Sequence, residues 1–322
     1  MQRLKSTLLA LIFLVGALNA FAQERIEKSF SGVENLKLTT ASGNGTIKKG
    51  NGNEVKIVLE YTYDEDDYSP KFDQNGTTLV IEEDFSRSRW TKGYSEWTLE
   101  IPDGLEVNFK TGSGNIEVRG LEIEIKAGSG SGNIEMEDLT GEISASTGSG
   151  NLTFDNLNGP LNANTGSGSI RITSLDGDAK LNTGSGNIRV RDVEGHLGMN
   201  TGSGNLELQN AQITGNSTFN TGSGNVVIQL AAALDYDLSL NTGSGNATLD
   251  FNGQEIEGKF VMKASDKDDI SAPFRFDKES GSDNDDRGWR GRRGSYTKEA
   301  TIGNKDIVVR ISTGSGRAVV RE

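Results

Sequence analysis

Hydrophobic and polar residues alternate along most of this chain in a unit that recurs every 18 to 21 residues. The pentapeptide Thr-Gly-Ser-Gly-Asn opens the unit at positions 111, 147, 183, 201, 221 and 242, and near copies begin at 129, 165 and 313. Between 111 and 201 the starts are 18 residues apart, and the next two intervals are 20 and 21. A fixed period of this length is typical of repeat architectures.

Within one unit the apolar residues occupy positions 6, 8, 11, 15 and 17. In the unit 183–200 these are Ile188, Val190, Val193, Leu197 and Met199. Alternation with a period of two predicts short strands that are buried on one face. Position 6 is aliphatic in seven units: Ile116, Ile134, Leu152, Ile170, Ile188, Leu206 and Val226.

The pentapeptide itself indicates a sharp corner between strands. Glycine takes positive φ without a Cβ clash, and asparagine tolerates the left-handed region better than most residues. We therefore expect the corners to be held by a structural turn ladder made of Gly112, Asn115, Gly148, Asn151, Gly184, Asn187, Gly202, Asn205, Gly222, Asn225, Gly243 and Asn246.

One such unit buries too little apolar surface to fold alone, so the units are expected to stack. Equivalent residues then lie about 4.8 Å apart in parallel strands. The predicted fold is all-β: a single-domain parallel β-solenoid, right-handed by the usual crossover rule, with 18–21-residue rungs and irregular β caps. A calcium-binding β-roll is disfavoured because Ile or Leu occupies the ligand Asp position. A left-handed hexapeptide helix is disfavoured because the unit does not divide into three similar hexads.

The two ends of the chain are less regular than its middle. Residues 23–110 are predicted to form an N-terminal cap and degenerate first rungs, with strands near 55–63, 78–82 and 97–101 and a corner-like Ser-Gly-Asn at 42–44. Residues 111–322 are predicted to form the β-solenoid repeats, with a charged loop insertion near 265–295. The Gly- and charge-rich part of that insertion, 280–295, is expected to be mobile.

Residues 1–22 read as a signal peptide. Arg3 and Lys5 precede an apolar run at 8–18, and Ala20-Phe21-Ala22 supplies a cleavage site before Gln23. This pattern predicts export to the periplasm, the outer surface or the medium. The mature sequence has no further apolar run long enough to cross a bilayer.

Charge and cysteine content narrow the classes of function. The formal net charge is −13, and it becomes −15 once Arg3 and Lys5 leave with the signal peptide. A strongly acidic chain is unsuited to nucleic acid. The sequence contains no Cys and a single His, His196, at an outward-facing position.

The outward positions 7 and 9 do not predict an active site. At each of these positions, successive units carry a mixture of acidic, basic and neutral side chains, which indicates charge compensation between neighbouring rungs. Glu135 and Glu137 are the closest approach to a carboxylate pair for glycoside chemistry, but short corners build no cleft around them.

The aspartates between 266 and 286 lack the spacing of a calcium loop. We therefore expect no enzyme, no cofactor and no metal; a polysaccharide-acting β-helix enzyme is the remote alternative. The columns read Glu117, Glu135, Thr153, Arg171, Arg189, Glu207 and Arg119, Glu137, Asp155, Thr173, Arg191, Gln209.

Non-repeating aromatic and charged residues gather in the two irregular regions. Trp and Arg carry binding energy at interfaces more often than other residues. Trp90, Tyr94, Trp289 and Arg290 are therefore the candidate ligand-binding residues. The alternative is that these regions are only cap core and an ordered or disordered loop.

The chain resembles the bacterial putative-adhesin β-helix domains. The resemblance rests on the signal peptide, the string Ile-Pro-Asp-Gly-Leu-Glu-Val at 101–107, the repeated Thr-Gly-Ser-Gly-Asn and the last Ser-Gly rung at 315–316. It implies an exported surface binding module of the cell envelope, with a glycan or an envelope protein as its partner and no catalytic residues to carry over. A structural or envelope-stress accessory protein is the alternative.

Overall fold

The computed structural model describes residues 23–86, 92–281 and 295–322. These residues form strands, with one short 3-10 helix at Lys267–Asp269 as the helical element among them. The strands in chain order are β1 (Glu24–Ser31), β2 (Asn35–Thr40), β3 (Asn44–Lys49), β4 (Glu54–Tyr61), β5 (Tyr68–Asn75), β6 (Thr78–Phe85), β7 (Ser95–Ile101), β8 (Glu106–Thr111), β9 (Ile116–Glu122), β10 (Glu124–Ser129), β11 (Ile134–Thr140), β12 (Ile143–Thr147), β13 (Leu152–Asn158), β14 (Leu161–Thr165), β15 (Ile170–Asp176), β16 (Ala179–Thr183), β17 (Ile188–Gly195), β18 (Leu197–Thr201), β19 (Leu206–Ile213), β20 (Ser217–Thr221), β21 (Val226–Leu230), β22 (Leu238–Thr242), β23 (Ala247–Asp250), β24 (Gly258–Ala264), β25 (Ile270–Ser271), β26 (Lys278–Gly281), β27 (Tyr296–Ile302), β28 (Val308–Thr313) and β29 (Ala318–Arg321).

The strands belong to two long sheets that are mostly parallel. Sheet A has the order β1-β4-β7-β3-β9-β11-β13-β15-β17-β19-β21-β23-β29-β25. Sheet B has the order β26-β27-β24-β28-β22-β20-β18-β16-β14-β12-β10-β8-β2-β6-β5. Through the middle, successive strands of the chain alternate between the sheets, which is the arrangement of a β-solenoid.

The register of the middle strands joins equivalent positions of neighbouring units. Ile188 of β17 pairs with Ile170 of β15 and with Leu206 of β19. On sheet B, Met199 of β18 pairs with Leu181 and Phe219. The aliphatic columns predicted from positions 6, 8, 11, 15 and 17 are buried between the sheets, and His196 is exposed.

The Thr-Gly-Ser-Gly-Asn corners hold their shape for a reason other than the one predicted. None of their described glycines or asparagines has positive φ. The glycines are needed because the rungs touch at the corner: a Cβ on Gly204 would lie 1.8 Å from the carbonyl oxygen of Gly186 in the rung before. A side chain of any size therefore displaces backbone, and not merely another side chain.

Positive φ falls at other places: at position 10 of the units that begin between 111 and 201, and at position 13 in Gly141, Gly159 and Gly177. Asp138, Asn156, Ser174, Asp192 and Asn210 have φ between 53° and 63°. The left-handed residue shifts the alternation by one residue, so that Ile188 and Val190 before it and Val193 after it all face inward. Asn and Asp tolerate this conformation best among residues with a side chain.

The asparagine of each corner acts through its side chain. The Oδ1 atom of Asn187 accepts a hydrogen bond of 2.9 Å from the backbone N–H of Asn205, and Asn205 Oδ1 accepts one of 2.8 Å from Asn225 N–H. The series begins at Asn44 and ends at the N–H of Arg317, with Ser169 replacing asparagine once. This series of hydrogen bonds links one rung to the next.

A buried threonine completes each corner. Thr201 Oγ1 donates to the carbonyl oxygen of Gly186 in the previous rung, 2.9 Å away, and accepts from Gly204 N–H in its own rung at 3.1 Å. Both groups would otherwise be buried without partners, which is costly. The motif therefore uses its threonine, glycines and asparagine for stacking.

The chain does not stack in sequence order at either end. At the N-terminal end, Leu36 of β2 pairs with Leu79 of β6 on one side and with Val107 of β8 on the other. The rung β2–β3 therefore lies between β6–β7 and β8–β9. At the C-terminal end, β28 lies between β22 and β24, and β29 lies between β23 and β25. The last rung of the sequence is thus an inner rung of the stack.

Antiparallel strands close both ends. β1 pairs with β4 and β4 with β7 at the N-terminal end of sheet A, while β5 covers β6 in sheet B. At the other end β27 lies between β24 and β26. The edge strands β1, β5 and β26 carry charged residues, which discourage pairing with another chain.

Candidate functional site

Of the four predicted ligand-binding residues, Tyr94 lies within the described residues and Trp90, Trp289 and Arg290 lie outside them. The Tyr94 side chain is 46% exposed. Its backbone N–H donates to Thr62 Oγ1 at 3.1 Å, and its carbonyl accepts from Thr62 N–H at 3.0 Å. Tyr94 is therefore fixed through its backbone while its ring faces solvent.

The described strands that flank residues 87–91 and 282–294 lie at opposite ends of the stack. Residues 87–91 connect β6 to the segment before β7, and residues 282–294 connect β26 to β27. In sheet B, β6 is fourteenth and β27 second, so that they are twelve strands apart. At about 4.8 Å per strand their separation is roughly 55 Å. The structure does not bring the attachment points of the two regions together.

The other aromatic residues of the N-terminal region form the core of the cap. Tyr61, Tyr63, Tyr68 and Trp97 are buried. The rings of Tyr61 and Tyr63 each lie 4.8 Å from that of Tyr68, centroid to centroid. Their burial supports the cap-core alternative for these four residues and leaves Tyr94 as the described member of the group that faces solvent.

A carboxylate at the centre of this cap was not anticipated from the sequence. Glu83 Oε1 accepts hydrogen bonds from Tyr68 Oη and Trp97 Nε1, both at 3.1 Å, and from Ser95 Oγ. Its Oε2 atom accepts from the backbone N–H of Ala41 at 2.7 Å. Burial and the neighbouring Glu83 charge raise the pKa of the Tyr68 hydroxyl well above its ordinary value, so this hydroxyl remains a hydrogen-bond donor. Both carboxylate oxygens of Glu83 therefore have hydrogen-bond partners within the cap, and the role of this cluster is structural.

The carboxylates considered for glycoside chemistry, Glu135 and Glu137, both pair with the guanidinium of Arg119. Arg119 Nε lies 2.7 Å from a Glu117 oxygen and 3.4 Å from a Glu137 oxygen, and Arg119 Nη2 lies 3.4 Å from Glu135. These four side chains stand on the solvent face of sheet A. The arrangement is the charge compensation predicted for the outward columns.

The acidic residues of the described chain do not gather into a metal site. In that part of the chain no group of three or more His, Cys, Asp or Glu side chains converges to hold a metal ion. Of the predicted aspartate cluster, Asp266 accepts from the Asp268 N–H at 2.9 Å and caps the 3-10 helix. The described residues also contain no helix long and apolar enough to cross a membrane.

The outer face of sheet B carries a second ladder of amides. Asn200 Nδ2 donates to Asn182 Oδ1 at 3.0 Å, and Asn200 Oδ1 accepts from Asn220 Nδ2 at 2.8 Å. Asn164 and Asn241 extend this ladder by one rung in each direction. The amide groups of this ladder form hydrogen bonds with one another from rung to rung, so they hold the rungs together and are not free to bind a ligand.

Replacing Asn200 with Ala should lower the free energy of unfolding by about 1 kcal/mol, because it leaves Asn182 Oδ1 and Asn220 Nδ2 without their partners. Urea denaturation followed by circular dichroism measures the change. Lys180→Ala is the matched control, because Lys180 is exposed on the same face and outside the ladder. Equal stability of the two variants would show that the amide ladder contributes nothing.

Together, the two sheets and their stacked parallel rungs define an all-β solenoid. The family model described as Toastrack DUF4097 matches residues 33–273. The chain therefore belongs to this family, and the predicted resemblance to putative-adhesin domains is confirmed.

The chain is also similar to solved structures at low sequence identity. A putative adhesin from Parabacteroides distasonis ATCC 8503 is 11% identical, with 94% of this chain and 98% of that chain covered and a TM-score of 0.42. A putative lipid binding protein from the same strain is 13% identical, with 93% and 97% covered and a TM-score of 0.43. A putative adhesin from Bacteroides fragilis NCTC 9343 is 11% identical, with 93% and 98% covered and a TM-score of 0.37. No match was found among curated protein sequences.

Proposed function

We propose that this chain is an exported, non-catalytic binding module of the cell envelope, with the solenoid as a rigid scaffold. Residues 1–22 direct export, residues 23–110 form the N-terminal cap and first rungs, and residues 111–322 form a right-handed coil of 18–21-residue rungs with the charged insertion near 265–295. The partner is a surface glycan or an envelope protein, and the exported chain acts in the periplasm, at the outer surface or in the medium.

The observation that carries this proposal is how the repeated residues are used. The threonine, glycines and asparagine of the corners make hydrogen bonds or close contacts with the neighbouring rung, as Thr201 and Gly204 do. Residues committed to stacking have no capacity left for a ligand. Recognition is therefore assigned to residues that do not repeat, and Tyr94 is an exposed aromatic residue of that kind.

The proposed role of the scaffold is to keep the two irregular regions a fixed distance apart. A continuous series of side-chain hydrogen bonds runs from Asn44 to the backbone of Arg317. The attachment points of residues 87–91 and 282–294 lie roughly 55 Å apart along this series. In the proposal, Trp90 and Tyr94 bind at one end, Trp289 and Arg290 bind at the other, and the solenoid sets the distance between them.

The variant Trp90→Ala/Tyr94→Ala/Trp289→Ala tests this assignment. We expect the mature parent to bind a glycan array or isolated envelope fractions, and the triple variant to lose at least tenfold in affinity because aromatic anchors dominate such interfaces. Its melting temperature should not change. Tyr236→Ala is the matched control, since Tyr236 is 42% exposed between β21 and β22, outside both regions.

Two outcomes contradict the proposal. A triple variant that binds as tightly as the parent excludes the end regions as the site. A parent that binds neither glycans nor envelope components favours the structural or envelope-stress accessory role.

A further inference from the structure

Three arginines form a basic patch on the solvent face of sheet A. Arg171 belongs to β15, and Arg189 and Arg191 belong to β17. We call these three residues the arginine patch. All three are exposed, and with Thr173, Glu207 and Gln209 they line a shallow depression of about 70 Å³.

The sheet register brings the three guanidinium groups together. Arg171 pairs with Arg189 across parallel strands, and Thr173 pairs with Arg191. Strand neighbours are about 4.8 Å apart, and residues two apart on one strand share a face. The positions of these side chains are therefore set by the stacked core beneath them.

The patch contains more positive charge than its neighbours neutralise. Arg189 Nε lies 3.3 Å from Glu207 Oε2. Arg191 Nε donates to the neutral Gln209 Oε1 at 3.3 Å, and Gln209 Nε2 donates to Glu207 Oε1 at 2.8 Å. Among the described residues Arg171 makes no ion pair. Of the three guanidinium groups, only that of Arg189 pairs with a carboxylate among the described residues.

The same face shows the opposite balance two to three rungs away, on β9 and β11. Arg119 is surrounded by three carboxylates, those of Glu117, Glu135 and Glu137. Like charges placed directly opposite each other on neighbouring strands destabilise a sheet. The pairing of Arg171 with Arg189 therefore opposes stability in a chain whose formal net charge is −13, and an anionic ligand would relieve it.

We propose that the arginine patch binds the anionic groups of an acidic polysaccharide. Guanidinium groups form paired hydrogen bonds with carboxylate, sulfate and phosphate oxygens. The patch is open and shallow, so a single small anion gains little there. An extended polymer that carries a charge on each unit contacts several arginines at once, and its effective affinity rises accordingly.

The surroundings of the patch favour a polymer over a lipid surface. A flat anionic bilayer lying on sheet A would also meet the carboxylates around Arg119 and would be repelled by them. A polysaccharide strand contacts the patch without touching those rungs. This inference rests on the proposed function for the exported location, extends it by naming a ligand class, and uses no residue of the two end regions.

The test compares two triple variants of the mature chain that change the net charge equally. Arg171→Gln/Arg189→Gln/Arg191→Gln removes the patch. Its matched control removes three cations from sheet B: Lys126→Gln/Lys180→Gln/Arg310→Gln. Binding to polygalacturonate, dextran sulfate and uncharged dextran is measured by biolayer interferometry in low and moderate salt, alongside phosphatidylglycerol vesicles.

We expect the parent and the control to bind the two acidic polymers within twofold of each other, and the patch variant to bind at least tenfold more weakly. Binding should fall as salt rises, and uncharged dextran should not bind. The melting temperature of the patch variant should equal or exceed that of the parent.

Several results overturn the proposal: no binding of either acidic polymer by the parent, equal losses in both variants, or full binding by the patch variant. Stronger patch-dependent binding to the vesicles would replace the polysaccharide with a lipid headgroup. The Trp90→Ala/Tyr94→Ala/Trp289→Ala variant should retain acidic-polymer binding, so the failure of one proposal is distinguishable from the failure of the other.

Discussion

Gly204→Ala should prevent the mature chain from reaching a stable fold, whereas Gly198→Ala should leave its stability unchanged within about 0.5 kcal/mol. A Cβ on Gly204 would lie 1.8 Å from the Gly186 carbonyl oxygen and 2.5 Å from its carbonyl carbon. These are backbone atoms that no rotamer change can move. Relief requires the corners to separate, with loss of the Thr201 and Asn205 hydrogen bonds that link the rungs there. A loss of more than about 4 kcal/mol is expected.

Gly198 is a closely matched control for Gly204. It lies six residues earlier, in β18, and the nearest atom to a Cβ built there is the Ala179 carbonyl oxygen at 4.0 Å. Both variants add one methyl group to a glycine of the same rung. Soluble yield and urea midpoints measure the difference, and similar midpoints would refute the close approach of the corners.

Ending the chain after Asp306 should destabilise the C-terminal end of the solenoid by on the order of 5–10 kcal/mol. The deletion removes β28 and β29, whose buried Val309, Ile311, Ala318 and Val320 fill the core between two other rungs. It also leaves β22 and β24 without the strand that both of them pair with. We expect an early unfolding transition in calorimetry, or insoluble product.

Two controls sharpen the truncation experiment. A chain that lacks only Glu322 should melt like the full mature chain, because Glu322 follows the last strand. Adding a peptide of residues 307–322 should restore the lost transition, since the gap it fills is defined by strands on both sides. An unchanged melting profile after truncation would mean that β24 does not depend on β28.

The sequence predicted the columns of the core because burial there follows local alternation. Ile188 and Val190 are separated by one exposed arginine, and that spacing is visible without any knowledge of the partner strands. The reason for the corner glycines was misjudged because it depends on a neighbour in space. The residue that excludes a side chain at Gly204 is Gly186, one full rung earlier.

The order of the end rungs was not predictable for a related reason. Nothing in the residues around Leu36 shows that this strand has two parallel partners from later parts of the chain. Pairing of this kind is decided when distant segments dock, and the loop between them leaves no periodic signal. The pattern at 307–320 did predict one more rung, but not that it would lie inside the stack.

Among the candidate site residues too, those visible from local pattern could be predicted, and those that depend on neighbours in space could not. Tyr94 and the outward arginines were identifiable as residue types at exposed positions. The mixed columns correctly predicted compensation around Arg119, but not the surplus at Arg171, Arg189 and Arg191, because the two columns must be superimposed to see it. Glu83 gave no signal, since an acidic residue near a strand end ordinarily faces water.

The inner position of the last rung has a mechanical consequence. A pull on residues after β29 acts along strands held on both sides, by β23 and β25 and, for the preceding strand, by β22 and β24. Their hydrogen bonds must then yield together, in shear. A pull on residues before β1 acts on an edge strand that pairs with β4 alone. The strand can then detach gradually from its single neighbour, so the solenoid resists tension better from its C-terminal side.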